Sequence, residues 1–198
     1  LDVARRLQQM VLPTDEELQQ IEGVDISCYM EPADEVGGDY YDVLRHNGSL
    51  RIGIGDVTGH GLESGVIMLM TQTAIRTLIT HGETDPKRLL AVLNRTIYDN
   101  VQRMRLGRMM SLALLDYKDG AVSVNGLHEQ VIVVRKGGEV SLMKTRGIWL
   151  ALKPDIMRHL DKKRPGEIFL EPGDGIVLYS DGITEAYPGP ELFAETLY

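Results

Sequence analysis

Short turn signals between apolar runs are the feature that most constrains this fold. An Asn-Gly pair, Asn47–Gly48, separates two alternating runs and is a strong hairpin signal, and glycine-containing turns at 118–120 and 137–138 separate later ones. Strands joined by such short connections pair antiparallel. The runs that alternate as strands occupy 24–30, 39–45, 50–57, 109–117, 121–127, 129–136 and 139–144, with two more inside 166–186.

Two long amphipathic segments lie next to each other in the middle of the chain. Residues 61–81 carry apolar side chains at helical spacing, and the following segment opens with Asp85 as a cap and Pro86 in the first turn. A short final helix is expected at 189–198. Adjacent helices must cover a sheet face, so the sequence predicts an α+β class with sheet layers inside and helices outside.

Composition excludes several functions. The 198 residues suit one domain, and a net charge of −8 with a pI near 5.1 argues against nucleic-acid or anionic-membrane binding. No apolar run is long enough to span a bilayer, and no signal peptide appears. The single cysteine, Cys28, suits a reducing compartment and is interpreted as a small buried hydrophobe, so we expect a cytoplasmic protein.

The first thirteen residues form a separate unit in this interpretation. An apolar stripe at helical spacing ends at Pro13. It either packs on the domain or pairs with a second copy, giving a homodimer. We interpret 1–13 as the end of a regulatory linker helix and 14–198 as a separate domain. The stripe consists of Leu1, Ala4, Leu7, Met10 and Val11.

Three aspartates share one setting, in which a strand end, a carboxylate and glycine come together. Asp39 follows two glycines, whereas Asp56 and Asp181 each follow an apolar run and precede a glycine-containing turn. A nucleotide loop is excluded at Asp56, because Thr58 stands where G-x-G-x-x-G requires glycine. If the three carboxylates converge, they repel each other unless hard cations such as Mg²⁺ or Mn²⁺ bind them. Taken singly, each also fits an ordinary turn or helix cap, and both readings stay open.

Four ordered segments carry a family resemblance. They are ARRLQQMVLP at 4–13, EVGGDYYDV at 35–43, GDVTGHGLESGVIML at 55–69 and LEPGDGIVLYSDGITEA at 170–186. Together they resemble bacterial serine/threonine phosphatases of the SpoIIE/RsbU type, in the metal-dependent PPM (type 2C) superfamily. The resemblance implies an α-β-β-α sandwich of two mainly antiparallel sheets flanked by helices.

The resemblance also implies a centre of two Mn²⁺ or Mg²⁺ ions. Asp39 would bind one ion, Asp56 would bridge both with the carbonyl of Val57 as a further ligand, and Asp181 would bind the other. Water activated by the metals would then attack phosphorus in line. His60 is a weaker candidate for a general acid than for a turn residue, and His128 is expected to be structural.

The implied activity is a protein serine/threonine phosphatase acting on a phosphorylated STAS-type regulator, an antagonist of an anti-sigma factor. The competing interpretations are an inactive partner-binding or dimerising module and an esterase for small phosphates. Family members continue to an Asp-Asp-x-Thr-like motif beyond the last helix, so the domain is expected to lack its C-terminal strand and one metal carboxylate. Trp149 and Ala151 stand where family members often have Pro and Gly.

Overall fold

Two antiparallel sheets form the centre of the molecule. The structure is a computed structural model that describes residues 6, 8–31, 36–46, 48–161 and 166–184. Its strands are β1 (Tyr40–His46), β2 (Ser49–Val57), β3 (Met110–Lys118), β4 (Ala121–Leu127), β5 (Val131–Val134), β6 (Val140–Met143), β7 (Gly166–Phe169) and β8 (Gly175–Val177). One sheet has the order β1-β2-β3-β4-β7 and the other β6-β5-β8. All of these pairs are antiparallel, which confirms what the short turns predicted.

The two long helices lie together on the five-stranded sheet. The helices are α1 (Asp15–Gln19), α2 (Leu62–His81), α3 (Pro86–Met104), α4 (Met157–Asp161) and α5 (Asp181–Thr184). Helix α2 packs on α3 and contacts β1 and β2, while α3 also contacts β4. The predicted start of α3 is confirmed, because a side-chain oxygen of Asp85 accepts the Lys87 N–H at 2.9 Å. None of the helices in the described ranges is both long and apolar enough to cross a membrane.

Strand β3 supplies side chains to two hydrophobic cores. Leu112 and Leu114 face the helices and pack in one cluster with residues of α2 and α3. Ala113 and Leu115 point the other way and pack with Val131 of β5 between the sheets. The resulting order is helix pair, sheet, sheet, which confirms the α+β class. The predicted helix at 189–198 lies outside the described residues.

The segment 24–30 is not a strand, which corrects the sequence prediction. Its residues alternate between exposed and half-buried but have no ladder partner in the described part of the chain. It lies beside the edge strand β1, since burial raises the pKa of the Tyr41 phenol and the nearby, half-buried Cys28 raises it further. An alternating pattern shows that the chain is extended, whereas a strand also needs ladder hydrogen bonds to a neighbouring strand.

The apolar stripe predicted at the N-terminus is also corrected in part. Leu1, Ala4 and Leu7 lie outside the described residues, and Met10 is 78% exposed. Val11 of the stripe is half-buried, and the most buried of the described residues in this segment is the polar Gln8, which is 1% exposed. Its amide group is hydrogen-bonded to the main chain around Gly37, so its burial leaves no polar group unsatisfied.

Candidate functional site

The end of β2 holds Asp56 against a glycine of the segment that precedes β1. Asp56 is half-buried and pairs across the ladder with Ser111 of β3. The Val57 N–H donates to the Gly38 carbonyl at 3.2 Å. A Cβ on Gly38 would lie 2.5 Å from the Val57 carbonyl oxygen and 2.9 Å from Oδ1 of Asp56. Only glycine allows this close approach, which brings Asp39 next to the Asp56 loop.

Asp39 and Asp181 approach each other from different parts of the chain. Burial raises the pKa of the Asp39 carboxyl, a hydrogen bond with Ser180 lowers it, and the negative charge of Asp181 raises it. Oδ1 of Asp39 is buried and has no hydrogen-bond partner among the described residues. Asp181 is exposed and is the first residue of α5. The strand predicted to continue to residue 180 is shorter than expected, since β8 ends at Val177.

The structure therefore brings the loops of Asp39, Asp56 and Asp181 to one edge of the molecule. A buried, unpaired carboxylate oxygen beside a second carboxylate is a donor set that suits a hard divalent cation. Within the described ranges, however, no three His, Cys, Asp or Glu side chains are grouped closely enough to hold an ion. The arrangement has the chemistry of a metal site without a fully assembled set of ligands.

The turn after Asp56 is fixed by an arginine that the sequence did not single out. Arg108 donates from Nη1 to the Thr58 carbonyl and from Nη2 to Glu63 of α2, both at 3.1 Å. Its guanidinium covers Gly59, where a Cβ would collide with it. Thr58 Oγ1 in turn accepts the Met109 N–H at 3.0 Å. The turn is thus held from the α3–β3 connection.

The two histidines named from the sequence have different surroundings. His60 is exposed in the turn after Asp56, and its role stays a prediction. His128 follows β4 and is half-buried, and burial lowers the pKa of its imidazole more than the Tyr179 carbonyl raises it. Its ring lies between Ser111 and Tyr179. No local sequence signal marks Ser111 or Arg108, since both act on segments distant in the chain.

Sequence comparison gives a family match over most of the chain. Residues 46–196 match the family model described as stage II sporulation protein E (SpoIIE). The phosphoserine phosphatase RsbU of Bacillus subtilis is 30% identical over 186 residues, which cover 93% of this chain and 53% of RsbU. Protein IcfG of Synechocystis is 26% identical over 223 residues, covering 98% of this chain and 34% of IcfG. The chain thus spans about half the length of RsbU and a third of IcfG.

Solved structures agree on the fold. The SiaA-PP2C domain of Pseudomonas aeruginosa superposes with a TM-score of 0.74 at 23% identity, covering 96% of this chain and 74% of that one. The PP2C phosphatase domain of SpoIIE from Bacillus subtilis gives a TM-score of 0.58 at 18% identity, covering 81% of this chain and 46% of that one. The chain therefore belongs to the SpoIIE family and has a PP2C-like α+β fold.

Proposed function

We propose that this domain hydrolyses phosphoserine or phosphothreonine on a regulatory protein, with two Mn²⁺ or Mg²⁺ ions bound by Asp39, Asp56, Asp181 and the Val57 carbonyl. The observation that carries the proposal is the meeting of the three aspartate loops, with one Asp39 oxygen buried and unpaired. PP2C-type phosphatases depend on divalent metal ions. One structural neighbour, RsbX, was solved in complex with magnesium (TM-score 0.55).

The backbone fixes the positions of three of the proposed ligands, Asp39, Asp56 and the Val57 carbonyl. Asp56 and the Val57 carbonyl lie at the end of a ladder strand, and Asp39 is reached through the close contact at Gly38. Negative charge on Asp39 and Asp181 is unfavourable while the two are close, and cations convert that repulsion into binding. When bound, divalent ions supply an activated water and neutralise charge on the phosphoryl oxygens.

A cysteine-based phosphatase mechanism has no support in this chain. Such a mechanism needs a thiolate nucleophile at neutral pH. Cys28 is the single cysteine, and burial, with the charge of Asp15 adding to it, raises the pKa of its thiol. Carboxylate-bound metal is therefore the chemistry for which this domain has suitable side chains.

The proposed substrate is a phosphorylated STAS-type regulator of the kind that antagonises an anti-sigma factor. Support comes from the resemblance in the sequence motifs and from the name of RsbU, a phosphoserine phosphatase. A Mycobacterium tuberculosis structure with RsbU and RsbW domains is a further structural relative, at 25% identity and a TM-score of 0.64. A cytoplasmic location and dimerisation through residues 1–13 belong to the same proposal.

An inactive, partner-binding domain is the second candidate. It is favoured by the absence, within the described ranges, of three grouped metal-binding side chains. The two candidates differ in turnover, because a binding module retains a phosphopeptide without releasing phosphate.

The test is phosphate release from a phosphoserine peptide and from p-nitrophenyl phosphate, with and without Mn²⁺. We expect Mn²⁺-dependent hydrolysis that falls at least about 100-fold in Asp56→Asn, more than the loss of an outer-shell partner causes. Asp99→Asn, on the exposed side of α3, is the matched control and keeps full activity. Binding without turnover by the wild type supports the second candidate, and a preference for nucleotides indicates an esterase for small phosphates.

A further inference from the structure

His128 connects the edge of the sheet that carries Asp56 to the segment that leads from β8 to Asp181. Its Nδ1 lies 2.8 Å from Oγ of Ser111, and its Nε2 lies 3.1 Å from the carbonyl oxygen of Tyr179. Ser111 is the direct cross-strand partner of Asp56, and its hydroxyl lies 3.4 Å from the Asp56 carbonyl. Tyr179 precedes Asp181 by two residues. One side chain therefore spans from the five-stranded sheet to the segment after β8.

The backbone of His128 is itself held in place. Its N–H donates to Oγ1 of Thr145 at 2.9 Å, and the Thr145 hydroxyl donates to the His128 carbonyl. Gly126, two residues earlier, has a φ of +100°, and a Cβ there would collide with the Leu112 carbonyl of β3. The backbone of His128 is therefore fixed, so the imidazole can hold the groups that it contacts in place.

The partners of the ring define its hydrogen-bonding roles. A carbonyl oxygen only accepts, so Nε2 carries a proton and donates to Tyr179. In the neutral ring Nδ1 then accepts the Ser111 hydroxyl proton. Both ring nitrogens are hydrogen-bonded, one to Ser111, which lies opposite Asp56, and the other to Tyr179, two residues before Asp181. In these contacts neither nitrogen points at a substrate.

We propose that His128 is a positioning residue that sets the spacing between Asp56 and Asp181, and through it the affinity of the domain for divalent ions. The inference rests on the proposed metal-binding function. Asp56 and Asp181 lie on different chain segments. One connection between them runs through the Asp39 loop, where Asp39 forms a hydrogen bond with Ser180 and the Gly38 carbonyl accepts the Val57 N–H, and His128 adds a second connection to the segment before Asp181. Two carboxylates whose separation is already fixed lose less conformational freedom when they bind an ion than two that move independently.

The test is the dissociation constant of Mn²⁺, measured by titration calorimetry on the whole chain without substrate. We expect His128→Ala to weaken Mn²⁺ binding by about 10- to 100-fold, the usual loss for an outer-shell partner. His128→Gln, whose amide reaches the position of Nε2, keeps the Tyr179 contact and loses less. Ser111→Ala combined with His128→Ala binds no more weakly than His128→Ala alone, because both changes remove one link.

Asn94→Ala is the control for a merely structural effect. Asn94 is fully buried and bonds to the carbonyl of Lys153 and the N–H of Ala151, both at 2.9 Å, so its loss destabilises the fold without touching the aspartate loops. We expect a lower melting temperature and an unchanged Mn²⁺ affinity. Wild-type-like Mn²⁺ binding by folded His128→Ala overturns the inference alone. If the wild type shows no Mn²⁺ binding that Asp56→Asn abolishes, the proposed function fails as well.

Discussion

The side-chain amide of Gln8 brackets the backbone of Gly37. Oε1 of Gln8 accepts the Gly37 N–H at 3.3 Å, and Nε2 donates to the Gly37 carbonyl at 3.2 Å and to the Asp39 carbonyl at 3.4 Å. Gln8 comes from the N-terminal helical segment, whereas Gly37 and Asp39 lead into β1. The contact ties the segment predicted to be a linker helix to the backbone that positions Asp39.

Gln8→Ala is expected to destabilise the protein by about 1–3 kcal/mol, because it leaves a partly buried N–H and carbonyl of Gly37 without their partner. Gln9→Ala is the matched control, since Gln9 has the same chemistry but is exposed. Thermal unfolding of the two variants measures the difference. Equal melting temperatures would show that the bracket contributes nothing to stability.

Arg76→Ala removes the partner of a buried carboxylate. Asp42 is 0% exposed, and Arg76 donates to both of its oxygens, at 2.9 and 2.8 Å. We expect a loss of about 3 kcal/mol, the low end for breaking a buried pair, because the Arg76 side chain is itself 38% exposed. Arg95→Ala breaks the exposed pair with Asp99 and is expected to cost less than about 1 kcal/mol in a denaturant titration. Similar losses for the two variants would contradict this prediction.

Arg105→Gly is expected to stabilise the protein. Arg105 caps the C-terminus of α3 with a φ of 56°, a left-handed conformation that glycine adopts without a Cβ penalty. The expected gain is about 0.5–1 kcal/mol. Arg103→Gly removes the same charge inside the last turn and should lose about 1 kcal/mol. We expect the melting temperature to rise in Arg105→Gly and to fall in Arg103→Gly. A fall in both variants would refute the capping argument.

Asp174 is expected to contribute to the acid sensitivity of the fold. The N–H of Glu171, the guanidinium of Arg135 and the N–H of Lys136 lower the pKa of its carboxyl from 3.8 to about 2. The unfolded chain therefore takes up the proton first, so the stabilising effect is complete above about pH 4 and is lost as the pH falls toward 2. Melting temperatures of Asp174→Asn should depend less on pH across this interval than those of the wild type. Asp99→Asn serves as the control, and an unchanged slope in Asp174→Asn would contradict the assignment.

Features that depend on chain neighbours were predictable from the sequence. At the turn at 118–120, Asp119 and Gly120 have φ values of 51° and 83°, and the ladder continues on both sides from Lys118 to Ala121. Ala151 has a left-handed φ of 62°, a conformation that glycine adopts more readily than alanine. The family resemblance predicted that Asp39, Asp56 and Asp181 lie near one another, and their roles as metal ligands stay a prediction. The close contact at Gly38 that brings Asp39 next to Asp56 was not predicted.

By itself, the sequence determined the antiparallel class, the helix cap at Asp85 and the candidate aspartates, because each depends on residue type within a few positions. Only the tertiary structure decided that 24–30 stays outside the sheet, that polar Gln8 is buried where an apolar stripe was expected, and that His128 spans Ser111 and Tyr179. Gln8 and Gly37 are 29 residues apart, and His128 and Tyr179 are 51 apart. Such contacts depend on which surfaces meet after folding, and the local periodicity of the sequence does not predict which surfaces these are.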